Sequence, residues 1–279
     1  MNKYTYSVLM SVYYKEKVEF LKASINSMLD QTLQPSEIVI VKDGKLTEDL
    51  NVTIDQYVKR HPDLFNIIEL ETNIGLGKAL DIGLEKCNNE LVARMDSDDI
   101  SLPERCEKQI NKFKEKPDLC IVGTNIDEFY NDPANTVSSR IVPSSHKGIK
   151  KFIRRRSPFN HPTVMFKKSE VLRCGGYGEL RRKQDLDLFS RMINWGCEAE
   201  NINESLLLFR SNSDSFQRRK SWDNCKSYIK VEYIIWKRGH CSIKDLVIVT
   251  IGQLIMFISP IWLLKWISNS FLRKKSIKI

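Results

Sequence analysis

The chain has 279 residues, which bounds it to one large domain or a domain with an appendage. Its 42% hydrophobic content supports a sizeable core and excludes a solvating, disordered chain. A net charge of +9 favours an anionic partner: a nucleotide, a nucleic acid or an acidic membrane.

The first 125 residues alternate strand-like and helix-like runs. Tyr6 to Tyr13 reads as a strand, and Val18 to Leu29 as a helix with Phe20, Leu21, Ile25, Met28 and Leu29 at helical spacing. Glu37 to Val41 is a second strand, ended by Asp43-Gly44. A helix over 47–59 follows, with Thr47 as its N-cap. Phe65 to Leu70 is a third strand, Gly77 to Cys87 a helix, and Leu91 to Met95 a fourth strand. Pro103 opens a helix to about Lys114, and Leu119 to Thr124 is a further strand. Such a series implies an α/β fold with a mainly parallel sheet and right-handed crossovers. The first strand ends in Tyr13-Tyr14-Lys15-Glu16 without glycine, which excludes a nicotinamide-type dinucleotide site. Gly75-Leu76-Gly77-Lys78 lacks the rest of a phosphate P-loop.

The most informative stretch is Asp96-Ser97-Asp98-Asp99, at the end of the fourth strand. Acids there are costly to bury without compensation. A divalent cation with oxygen ligands, carrying a diphosphate, is the usual compensator. The D-x-D tripeptide alone is weak evidence, since Asp185-Leu186-Asp187 repeats it. Position decides, because open α/β sheets bind ligands at their strand ends.

From about 126 to 220 the regularity fades into loops, an apolar segment Thr163 to Phe166 and a helix from about Asp185 to Asn194. Residues 1–220 are expected to form the main domain, with a nucleotide half to about 125 and an acceptor half after it. Residues 221–279 are expected to form a helical C-terminal region. Leu246 to Leu264 carries no charge, and Gly252 and Pro260 interrupt it. Its length is marginal for a bilayer span, and Trp262 and Trp266 suit a water–lipid interface. An in-plane membrane anchor is expected ahead of a clean span, with a helical pair packed on the globule as the alternative.

Nucleic acid is not an expected partner. The clusters Arg154-Arg155-Arg156, Lys167-Lys168, Arg181-Arg182-Lys183 and Arg218-Arg219-Lys220 lack interleaved aromatics, and each reads equally well as a solvated face. The seven cysteines are odd in number, form no C-x-x-C and show no zinc-ligand spacing. They are expected to be reduced and mostly buried, in a cytosol-exposed chain without a signal peptide.

Six segments, in order, resemble family 2 glycosyltransferases of the GT-A fold that build bacterial exopolysaccharide, capsule or O-antigen. They are Tyr6 to Tyr13, Ser27 to Thr32, Glu37 to Gly44, Asn73 to Leu80, Arg94 to Asp99, and His161 to Phe166 together with Gln184 to Leu188. The resemblance covers about residues 5 to 215. It implies a GT-A Rossmann-like sheet flanked by helices and a nucleotide-diphosphate sugar donor of UDP or dTDP type. It also implies an undecaprenyl-diphosphate-linked acceptor at the cytoplasmic face of the inner membrane.

By the same resemblance, Ser11 and Tyr13 would line the nucleobase pocket, unless Tyr13 is simply a packed strand-end aromatic. Asp43 would accept a base N–H or else serve only as a turn residue. Lys42 stands where the family usually has another acid, which leaves the base less defined. Lys78, at a helix start, would meet phosphate oxygens or stay solvated. Asp98 maps onto the ligand of Mn²⁺ or Mg²⁺, and Asp96 onto the ribose or the ion's outer ligands. Asp185 matches the base that deprotonates the acceptor hydroxyl in a single inverting step, with Asp187 as its competitor. His161 and Gln184 would lie near the acceptor or diphosphate, and a purely structural histidine is equally compatible. The absence of several spanning helices and of a Q-x-x-R-W motif points to single-sugar addition rather than processive synthesis. A sugar-nucleotide nucleotidyltransferase would want a glycine-rich basic loop after the first strand. A non-catalytic relative would be expected to have lost Asp98 or Asp185.

Overall fold

The computed structural model describes residues 4–211 and 220–260. A sheet forms the centre, in the order β3 (Phe65–Glu69), β2 (Glu37–Lys42), β1 (Tyr6–Val12), β4 (Leu91–Asp96), β8 (Met165–Lys167), β6 (Leu119–Phe129), β9 (Glu198–Arg210) and β5 (Ile100–Ser101), with β7 (Thr136–Arg140) also on β6. The first four strands are parallel. β8 runs antiparallel between β4 and β6, so β6 and β9 point the same way as β4.

Alternation along β1 and β2 explains the layers. Val8, Met10, Ile38 and Ile40 face α1 (Val18–Leu29), α2 (Glu48–Arg60) and α4 (Arg105–Glu115). Leu9, Val39 and Val41 face α3 (Leu76–Lys86) and α7 (Gln184–Asn194). Both faces are covered, so these strands are apolar throughout rather than half polar. The strand order 3-2-1-4 places the topological switch between β1 and β4, where Ser11 pairs with Asp96.

The described elements differ from the sequence expectation in particular places. Thr47 sits at the N-cap position of α2 without a side-chain cap bond. Pro103 precedes α4 rather than opening it, and its carbonyl accepts the Thr32 N–H at 2.9 Å. The second half holds more structure than expected: the β6–β7 hairpin, α5 (His146–Phe152), α6 (Lys168–Arg173) and the 13-residue β9.

At the C-terminus, α8 (Trp222–Lys237) packs on α9 (Ile243–Ile258). α9 runs unbroken through Gly252, so the interruption expected there is corrected, whereas the helix ends at Ile258, two residues before Pro260 and inside the Leu246 to Leu264 segment. No helix among the described residues is long and apolar enough to cross a membrane. Trp262, Trp266 and the basic residues beyond them lie outside the described residues, as do Arg218 and Arg219. Two basic clusters hold the fold together rather than standing free. Arg154 and Arg155 pair with Asp245 at the start of α9, at 2.7 and 2.6 Å. Lys168 donates to the Glu85 and Cys87 carbonyls.

Candidate active site

The turn after β4 is braced from both halves of the molecule. Ser24 of α1 donates to the Asp96 carbonyl at 2.7 Å. Ser27 Oγ accepts from the Ser101 N–H at 3.0 Å, and Gln31 grips the Leu102 carbonyl and the Cys106 N–H. Two-residue β5 then pairs with Leu207 and Leu208 of β9. Thus part of the Ser27 to Thr32 motif works as a brace for the acid turn.

Within the turn, carboxylates of Asp96, Asp98 and Asp99 bring oxygens within 4.8 Å of one another. Asp96 is held by the guanidinium of Arg94, which is buried beneath it. Asp99 is fully buried; one oxygen accepts the Arg210 N–H at 2.8 Å and Oδ2 has no hydrogen-bond partner among the described residues. Arg210 also donates from Nε to the Asp98 carbonyl at 2.8 Å. Burial, then the Asp96 and Glu16 charges, push the Asp98 carboxyl up to about 7. Burial and the charges of Asp98 and Asp96 push Asp99 far up as well. Three oxygen-bearing acids with an orphaned buried oxygen are a donor set suited to a hard divalent cation. Glu16, Arg94 and Arg210 were not singled out in the sequence. Arg210 lies 111 residues from the acid it supports, and only the short apolar run Leu206 to Phe209 hints at its strand.

Around this turn stand the other expected residues. Tyr13 follows β1 and is 43% exposed, so it is not a packed aromatic. Asp43 closes β2 and clamps the loop before α3. Its Oδ1 accepts the Ile74 N–H at 2.8 Å, and its Oδ2 accepts from Asn73 Nδ2 and the Gly75 N–H at 3.0 and 3.2 Å. Lys42 is buried and pairs at 2.7 Å with Glu69, its register partner on β3. Lys78, in the first turn of α3, is half exposed. It lines a cavity of about 210 Å³ with Gly75, Gly77, Glu179 and Arg181.

The start of α7 closes against this cavity. A Cβ on Gly77 would come within 3.1 Å of the Gln184 side chain, so glycine lets the two helix starts meet. Lys183 precedes the helix at φ 61°, the one positive φ among described non-glycine residues. Such strain persists only where surrounding packing over-determines it.

Asp185 and Asp187 differ sharply. Asp187 is buried and is shared by Arg191 at 3.0 Å and by Arg238 of the segment after α8. Asp185 is partly exposed and has no ion pair or hydrogen bond to the described residues. His161, in a 3₁₀ turn at His161–Thr163, shares a 2.9 Å hydrogen bond from Nε2 with the Tyr177 hydroxyl. Burial and nearby Arg94 keep the imidazole neutral by lowering its pKa well below the usual range. The buried Tyr177 hydroxyl has a raised pKa: burial dominates, Arg94 opposes it, and Asp185, Asp81 and Asp96 add to it. One hydroxyl therefore feels Asp96 from the first half and Asp185 from the second. The Tyr177 N–H is held at 2.7 Å by Asp81 of α3.

Comparison with known proteins agrees with this geometry. The sequence profile named Glycosyl transferase family 2 matches residues 7–177. The chain is 35% identical over 255 residues to an Escherichia coli protein, UDP-Gal:alpha-D-GlcNAc-diphosphoundecaprenol beta-1,3-galactosyltransferase, covering 91% of this chain and 92% of that one. It is 38% identical over 226 residues to the amylovoran biosynthesis glycosyltransferase AmsE of Erwinia amylovora, covering 81% and 84%. Among solved structures, the mannosyltransferase PcManGT from Pyrobaculum calidifontis, in complex with GDP-Man and Mn²⁺, superposes with a TM-score of 0.62 at 15% identity, over 91% of this chain and 70% of that one. S. aureus TarS 1-349 in complex with UDP gives 0.59 at 15% identity, over 95% and 72%. These likenesses establish the GT-A fold.

Proposed function

The chain belongs to glycosyl transferase family 2, and from that premise we propose that it moves one sugar from a UDP- or dTDP-sugar to a polyprenyl-diphosphate-linked saccharide, with inversion. The observation that carries this is the crowded acid turn at the sheet's switch point, with the charges of Asp96 and Asp185 both acting on the Tyr177 hydroxyl.

Ser11 and Tyr13 at the end of β1 take the nucleobase. Asp43 contributes the lone pair that its three loop bonds leave free, enough for one base N–H. Lys78 and the N-terminus of α3 take the diphosphate. Asp98, with Asp99 beside it, would hold Mn²⁺ or Mg²⁺, and Asp96, fixed by Arg94, would serve the ribose or the ion's outer ligands. When bound, the cation supplies Lewis-acid stabilisation of the departing nucleoside diphosphate. Asp185 accepts the proton of the acceptor hydroxyl as that oxygen bonds to the anomeric carbon and the sugar–phosphate bond breaks. Asp187 cannot share this role while two arginines hold it. Gln184 and neutral His161 border the acceptor side.

Residues 1–220 serve as the transferase unit and the C-terminal helices as its attachment to the inner membrane's cytoplasmic face. α9 exposes Ile243, Val247, Ile251, Ile255 and Ile258 along one stripe, with Lys226 and Lys230 on neighbouring α8. Such a face lies in the headgroup region of an anionic bilayer. The experiment is transfer from a panel of UDP- and dTDP-sugars to synthetic polyprenyl-diphosphate-GlcNAc, in the presence of anionic vesicles and Mn²⁺. A single-sugar extension is the expected product. Absence of extension with every donor, while UDP binds, would overturn the acceptor assignment.

A further inference from the structure

Away from the acid turn, four side chains with soft or anionic ligand atoms converge at the opposite end of the sheet. Cys120 begins β6, Cys197 immediately precedes β9, Glu170 lies on α6, and Cys174 ends that helix. β6 and β9 run parallel, so their starts are adjacent, and both run in the same direction as β4. The cluster is therefore remote from the strand-end acids.

The geometry is close. Ligand atoms of Cys120, Cys197 and Glu170 all lie within 4.8 Å of one another. Cys197 Sγ is 3.4 Å from Glu170 Oε2. Cys197 and Cys174 are fully buried, and Cys120 nearly so. The Glu170 side chain is 25% exposed and leaves a route in from solvent. A tetrahedral zinc with Zn–S of about 2.3 Å spaces its ligand atoms roughly 3.5–3.8 Å apart, so a contraction of about 1 Å would bring these three to zinc spacing, and Cys174 borders them through its contact with Cys197.

We propose that Cys120, Cys197 and Glu170, with Cys174 as the fourth ligand, form a structural zinc site that ties the starts of β6 and β9 to α6. Thiolate donors select zinc over Mn²⁺ or Mg²⁺, which suit the all-oxygen turn instead. Binding exchanges thiol protons for the metal and needs no oxidant. Arg173 donates to Cys197 Sγ at 3.4 Å and to Glu170 at 2.6 Å, and Lys167 adds a second cation nearby. These charges would offset a site rich in thiolate. The ligands come from three separate elements, the starts of β6 and β9 and the helix α6, so no zinc spacing shows in the sequence.

The test is elemental analysis of the full-length chain grown with zinc and passed through EDTA by gel filtration. One zinc per chain is expected, and a Co²⁺-substituted sample should show a thiolate-to-cobalt charge-transfer band. Cys197→Ser and Glu170→Gln should each weaken zinc retention at least about tenfold, whereas Asp98→Asn should retain it. Cys197→Ser lies in the core and risks misfolding, so Glu170→Gln at the partly exposed ligand carries the same test in a chain checked by circular dichroism. A zinc-free chain, with the three cysteine thiols free or two of them joined as a disulfide, would overturn the proposal. So would zinc that persists undiminished in Glu170→Gln.

Discussion

The acid turn after β4 and the docking point of the C-terminal helices both bury carboxylates beside arginines, but they end in opposite electrostatic states. At the docking point Asp245 receives Arg154, Arg155 and the Ser242 hydroxyl, and its bond from the Ser242 N–H completes a capping box. Burial works against its charge, yet the Ser242 and Arg155 hydrogen bonds and Arg154 hold its carboxyl well below the usual range. In the acid turn, Arg94 hydrogen-bonds Asp96, while burial and neighbouring carboxylates push Asp98 and Asp99 up, a rise that the Arg94 charge only partly opposes. One region spends its cations on holding helices in place. The other leaves negative charge uncompensated at a strand end, which is where a phosphate-bearing cation has work to do. Asp187 and Asp185 repeat this contrast over two residues of one helix.

Substitutions can break the comparison at graded cost. Asp98→Asn should lower turnover by about 1000-fold with little loss of stability, measured as initial transfer rate and melting temperature. Asp185→Asn should lower kcat by roughly 100- to 10,000-fold and leave UDP affinity unchanged. Its neighbour should behave in the reverse manner: Asp187→Asn leaves Arg191 buried and underpaired and should cost about 3 kcal/mol in urea unfolding. If Asp187→Asn folded normally and lost only kcat, the two assignments would be exchanged.

Glu232 of α8 sharpens the comparison through pH. It is fully buried, and neither oxygen has a hydrogen-bond partner among the described residues beyond the weak Cys241 thiol donor alongside. Burial raises it to about 7; Cys241 and Arg155 oppose that rise, and Asp245 adds to it. A raised folded pKa binds the proton more tightly in the folded chain. Its stabilisation is therefore full below about pH 4.5 and is lost as pH rises to about 7. Glu232→Gln should be neutral at pH 4.5 and stabilise by about 2 kcal/mol at pH 8, as read from paired urea curves. The opposite sign governs Asp245, whose contribution is present above about pH 4 and lost as pH falls. Asp245→Asn should cost about 1 kcal/mol at pH 7, and the difference should close in acid.

What the sequence disclosed follows from the range of the interactions involved. β1, β2 and β4 were legible because each is a short apolar run bounded by turn residues, and Asp96 to Asp99 were legible because they end one. β9 was not. Its pairing with β6 shifts register at three places, so its buried residues Ala199, Ile202, Leu206 and Leu207 follow no period of two. Asp185 could be named by resemblance, but its distinction from Asp187 rests on Arg238, which only the packing of α8 brings near. Arg94 stood in a recognised motif, yet its burial under Asp96 required the sheet. The cysteine cluster draws Cys120, Glu170 and Cys197 from three separate elements with no zinc spacing among them.

The most direct measurement is UDP binding by calorimetry, with and without Mn²⁺, for the native chain and Asp98→Asn. We expect Mn²⁺ to tighten UDP at least about tenfold in the native chain and to have no effect in the variant. Equal affinity in all four titrations would contradict the acid turn's role as the seat of the nucleotide and its cation.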